Sequence, residues 1–122
     1  MADVKFFKLS AEEGSSPLDG VTMRGVYGEG GQLNLITIEP DAVVPVHSHP
    51  HEQLGIILEG MQVLEVEGVE YELYPHDAYV LPSNIEHAGR GGPEGCLSID
   101  IFVPVREDYR HAEVAPVDLA AS

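Results

Sequence analysis

The chain has 122 residues, with 21 Asp and Glu against six Lys and Arg, and a formal charge of -15. That balance speaks against nucleic acid or an anionic membrane surface as a partner, and no apolar run approaches the roughly 20 residues that span a bilayer. With Cys96 as its one cysteine no internal disulfide can form, and the opening MADVKFFKLSAEEG is too poor in apolar length for a signal peptide, so a reducing cytoplasm is the expected compartment.

The length suits one domain with a single core. In chain order, residues 3–9 (DVKFFKL) read as a first strand and 10–20 as a polar loop. VTMRGVYG and QLNLITIE follow, joined by Glu29-Gly30-Gly31, a hairpin signal. Pro40 and Asp41 then turn the chain into VVPVHSH. QLGIILE and MQVLEVE are separated only by Gly60, and in VEYELYP the alternation of Tyr71 and Leu73 with Glu70 and Glu72 marks a strand with one wet face. AYVLP, IEHA and CLSIDIFV come next, each bounded by Gly, Pro, Asn or Asp. The segment from Pro104 on is partly polar and is expected to end as a loose tail. Short, evenly punctuated strands argue for an all-β sandwich or barrel, and periodicity alone does not choose between them.

His47 and His49 lie two apart on an extended segment, so both imidazoles can aim at one point. Gln53 follows closely and His87 comes a strand or two later. Three neutral nitrogens and an amide oxygen make a plausible shell for one divalent transition metal. His51 is either a partner behind the ligands or a residue of the pocket mouth. His76 fits an exposed turn and His111 the tail.

With these spacings the chain resembles the cupin superfamily. The first cupin motif appears as His47, His49, Gln53 and, six residues beyond it, Gly60, with Asp41 at the place of the opening glycine. The second appears in HDAYVLPSNIEH, where Pro82 and His87 match, His76 and Asn84 replace two glycines, and Gly91 replaces the asparagine. The resemblance covers about residues 32–103. It implies a double-stranded β-helix, or jelly-roll barrel, with a core at about 21–104 and the first strand and tail outside it. Gln53 stands where most cupins have glutamate. Adjacent Glu52 would restore a carboxylate, but slipping by one turns a strand residue to the other face, which favours Gln53. Ligands without charge would leave the cation's charge free to attract an anionic or enolate oxygen.

In CLSIDIFV, Ser98, Asp100 and Phe102 share one face, and Ile99, Ile101 and Val103 the other. The run HSHPHEQ, the later DxF and the following PxRED look like the small KdgF-type cupins of pectin and alginate breakdown, which linearise 4,5-unsaturated uronates into open-chain keturonates. That resemblance implies Asp100 and Arg106 as catalytic residues, with Arg106 and Phe102 binding substrate. In this reading Asp100 shuttles a proton, and Arg106 grips the sugar carboxylate in a two-point fork. Arg24 and Tyr27 are further candidates for the pocket. The metal is nickel, zinc, iron, manganese or cobalt. The partners expected are a small anionic sugar and a second copy of the chain, with the apolar first strand crossing between subunits. A different metal-dependent cupin chemistry, by a dioxygenase or polyketide cyclase, and a non-catalytic sugar or metal binder are the alternatives.

Overall fold

The structure, a computed structural model, describes residues 3–118 apart from Glu12. Met1, Ala2, Glu12 and the last four residues of the expected tail lie outside the described residues. The strands in chain order are β1 (Ser15–Leu18), β2 (Val21–Tyr27), β3 (Gln32–Ile38), β4 (Val43–His47), β5 (Glu52–Val66), β6 (Val69–Leu73), β7 (Ala78–Leu81) and β8 (His87–Val103). They pair in the order β1-β2-β3-β8-β5-β6, with β4 added to β8 and β7 to β5, and every strand pair is antiparallel. The result is the all-β jelly-roll barrel that the sequence implies.

The inward face follows from alternation. On β3, Gln32, Asn34, Ile36 and Ile38 are buried while the residues between them are half-buried. Met23 on β2 pairs with Ile36, and Val21 with Ile38. With Ile57 and Cys96 these side chains form the apolar core.

Two expected strand pairs are each one continuous strand. QLGIILE and MQVLEVE form β5, and IEHA joins CLSIDIFV in β8. Gly60 bends β5 without ending it. Its φ is 73°, and a Cβ there would sit 2.1 Å from the carbonyl oxygen of Gly95, which itself has φ 80°. Only glycine tolerates both the conformation and the approach. Each long strand therefore runs from one wall of the barrel into the other. Gln53–Ile57 meets Ser98–Phe102, and Gln62–Val66 meets His87–Gly91.

Two other readings are corrected. Residues 3–9 form no strand: Phe6 makes one isolated bridge to Val117, and Val4 is 78% exposed. Part of the expected polar loop is β1, an edge strand on β2 that carries Pro17, which an edge accommodates because one side of it needs no ladder bonds. The segment after Pro104 is structured before the expected loose end. Glu107–Ala112 is a 3-10 helix, Ala112 and Val114 are buried, and the Val114 amide donates to the Gly25 carbonyl at 2.9 Å.

The three positions where residues other than glycine stand at motif glycines all have left-handed backbone: Asp41 (φ 61°), His76 (φ 76°) and Asn84 (φ 64°). Asp, Asn and His are the side chains most often found in that region after glycine, so the turns survive the exchange.

Candidate metal centre

His47 ends β4, His87 opens β8 directly opposite it, and His49 lies in the loop after β4. That loop is held from the other side, since the Asn84 amide donates to the His49 carbonyl at 2.7 Å. One nitrogen from each of the three rings lies within 4.8 Å of the others, so they could together hold a metal ion. The ring centres are 4.3 Å apart for His47 and His87, and 5.1 Å for His49 and His87.

The outer nitrogens fix the tautomers. Nδ1 of His47 donates to the Pro45 carbonyl at 2.8 Å, and Nδ1 of His87 to the Ile85 carbonyl at 3.0 Å. Nδ1 of His49 donates to the His51 carbonyl at 3.0 Å. With each Nδ1 carrying the proton, all three Nε2 lone pairs are free for a cation. Nε2 of His87 is buried with no hydrogen-bond partner. Burial, then the nearby Arg106 charge, pushes His49 down to about 4, and burial lowers His87 as well, so both favour the neutral ligand form.

Gln53 is buried on β5 and presents Oε1 to His49 Nε2 at 3.1 Å, while Glu52 is exposed. Given the tautomer above, both atoms are acceptors. A cation between them resolves that conflict, and two ligands about 2.1 Å from one metal at right angles lie roughly 3 Å apart. The donor set therefore fits a divalent transition metal.

Two cross-strand rows carry the rest of the site. One runs Tyr79, Gly55, Asp100, Asn34, Gly25, and the next Leu81, Gln53, Phe102, Gln32, Tyr27. Asp100 is buried, accepts the Tyr79 hydroxyl on Oδ1 and also bonds the Gln53 side chain. Burial pushes its carboxyl up to about 6, against the pull of those two hydrogen bonds. Phe102 is 2% exposed and meets the His49 ring edge-on with centres 5.6 Å apart.

Arg106 is buried at the start of the C-terminal segment. Nε and Nη2 donate to Asp108 at 3.1 and 2.6 Å, and the guanidinium lies 3.8 Å above the Tyr109 ring centre and 4.9 Å from that of Phe102. Nη1 is buried and unpartnered. The two-point fork expected for a substrate is thus already closed on Asp108, and one edge of the guanidinium remains. Gln32 accepts the Arg106 backbone amide, and the Tyr27 hydroxyl donates to its carbonyl at 3.4 Å. Tyr27 acts from behind, and neither it nor Arg24 borders the cavity.

A cavity of about 390 Å³ joins these groups, bordered at one end by His47, His87, Gln53, Asp100, Phe102 and Arg106. His51 is half-buried beside His49 with ring centres 5.6 Å apart, and His76 and His111 are exposed. Tyr79 and Asp108 were not singled out from sequence. Gly55 in an apolar strand, marking a close approach, and the Arg-x-Asp spacing were their available signals.

The cupin domain profile matches residues 34–95, and the chain belongs to the cupin family. KdgF from Halomonas sp. superposes with a TM-score of 0.81 at 26% identity, covering 87% of this chain and 98% of its own. An RmlC-like cupin from Shewanella frigidimarina gives 0.80 at 26% identity, covering 88% and 96%. TT1209 from Thermus thermophilus, at 22% identity and a TM-score of 0.71 over 84% of this chain and 100% of its own, shares the fold. Among curated proteins nothing matches the sequence. Among the described residues no helix is long and apolar enough to cross a membrane.

Proposed function

We propose that this cupin is a metal-dependent enzyme that opens the ring of 4,5-unsaturated uronates to open-chain keturonates. The observation that carries the reading is Asp100, a carboxyl that burial raises to about 6 and that bonds Gln53, which in turn faces His49. The likeness to KdgF from Halomonas sp. supports it.

His47, His49, His87 and Gln53 would hold the ion, whose chemistry is to polarise sugar oxygens and stabilise negative charge developing on them. The ring oxygen of such a sugar is also an enol ether oxygen. Opening the hemiacetal removes the anomeric hydroxyl proton and breaks the bond from the anomeric carbon to the ring oxygen, leaving an enolate. Asp100 takes the first proton and returns one to C4, which completes the ketone without net gain or loss. Arg106 turns its free Nη1 edge to the substrate carboxylate, and the rings of Phe102 and Tyr109 hold the guanidinium flat. Arg106 and the cation supply the positive focus that a chain of charge -15 otherwise lacks.

The test is incubation of the protein, reconstituted in turn with nickel, zinc, iron, manganese or cobalt, with unsaturated galacturonate while the absorbance of the conjugated double bond is followed. Faster loss than in buffer with the same metal is expected. No acceleration with any metal removes the reading. The homodimer expected from the sequence remains part of this proposal, and sedimentation tests it.

A further inference from the structure

The cavity has two chemically different ends. Away from the histidines and Arg106 its wall is made of Met23, Ile36, Ile38, Val44 and Leu64, and it continues to Leu18 and Val46 at the surface. Leu18 and Val46 are 39% and 58% exposed, so the apolar lining reaches solvent and is not sealed inside the core. Within this stretch the polar side chain is Gln62, whose Nε2 lies 2.5 Å from where a Cβ on Gly89 would stand, and whose Oε1 has no partner. A volume of about 390 Å³ exceeds by more than twofold the roughly 150 Å³ cavity that holds one benzene ring. The space therefore accommodates an anionic head at the metal end together with an apolar body of ring size. A bare uronate, with polar groups around its ring, satisfies the charged end and leaves this wall without a partner.

We propose that the wall of Met23, Ile36, Ile38, Val44 and Leu64 is a binding subsite for an alkyl or aryl group carried on the same molecule whose anionic end meets His47, His87 and Arg106. Acids that carry such a group are then bound more tightly than the bare anionic head. This deepens the reading of the metal end given above, and rests on that reading for the anionic head alone.

Acetate, butanoate, hexanoate and 3-phenylpropanoate, titrated calorimetrically into the full chain loaded with zinc, test it. Affinity should rise roughly fourfold per methylene until the cavity is full, with an increasingly negative heat-capacity change. A flat series overturns the proposal. Val44→Phe, which fills the apolar end from half-buried β4, should keep metal content and acetate affinity and abolish most of the hexanoate advantage. An advantage that survives the substitution places the tail elsewhere and equally overturns the proposal. Turnover of unsaturated galacturonate is measured in parallel. Its absence beside a steep series removes the ring-opening reading and leaves the subsite standing, and turnover beside a flat series does the reverse.

Discussion

Tyr79 reaches across Gly55 to give its phenolic hydrogen to Asp100. The three residues are cross-strand neighbours on β7, β5 and β8, and a Cβ on Gly55 would lie 2.2 Å from the Tyr79 ring and 2.3 Å from the Asp100 carboxylate. The glycine is what brings acid and phenol together. Burial holds the Tyr79 hydroxyl well above its usual range, so it stays a donor at every working pH.

Tyr79→Phe is expected to lower kcat for the uronate about tenfold with KM little changed, since an unmet buried acceptor costs about 1–3 kcal/mol. Steady-state kinetics separate the two constants. An equal loss in a neutral binding assay would mean that Tyr79 only supports the fold.

Asp100→Asn should abolish most turnover while leaving metal content intact. It should also stabilise the metal-free protein at pH 7.5. The folded-state pKa of Asp100 is raised from 3.8 to about 6, so the stability belonging to its neutral form is complete below about 3.8 and is lost as pH rises through 6. The shift corresponds to a gain for the variant on the order of 2–3 kcal/mol at pH 7.5, vanishing near pH 4. Thermal melts at both pH values check it, and a gain of equal size at both would contradict it.

Chelation should lower the melting temperature, because an ion present at a hundred times its dissociation constant stabilises by about 2.7 kcal/mol. The ion should also persist into mild acid. With His49 depressed from 6.5 to about 4, the contribution of its neutral form is full above pH 6.5 and disappears only as pH falls towards 4. Dialysis at pH 5.5 followed by elemental analysis is expected to find most of the metal retained.

Arg106→Lys should raise KM for the acidic sugar at least tenfold and leave a neutral analogue nearly unaffected, because an ammonium cannot keep Asp108 and also present a second planar edge. Asp108→Asn tests the positioning half of that statement. The carboxyl of Asp108 is held below its usual range by the hydrogen bond from Arg106, so the pair is ionic at neutral pH. Its neutral replacement should raise KM several-fold without reaching the effect of losing the guanidinium. Equal KM effects on acidic and neutral sugars would make Arg106 a structural residue.

The three histidines were legible because ligands must converge, and convergence leaves a spacing. Alternation on a strand places Asp100 and Phe102 on one face, but it does not say that the face borders a cavity, and only the resemblance pointed there. The merged strands were not legible. Gly60 and Gly95 look like turn residues to any reading of local preference, and only the opposite strand, arriving at the same place with its own glycine, makes the bend. Arg106 was singled out by the resemblance alone, and its posture was not legible. The hold exerted by Gln32 and Tyr27 comes from strands far away in the chain, and no local pattern records it. The first strand failed for a related reason, since apolar content says that a segment wants a neighbour and does not say where one is.

Among the described residues, strand β6 pairs only with β5 and none of its side chains borders the cavity. The described lining of the cavity comes from elsewhere, much of it from β5 and β8. The exposed residues Val69 to Glu72 of this strand are thus a handle on the molecule. A dye, an affinity tag or a tether to a solid support can be attached there while the chemistry inside continues undisturbed.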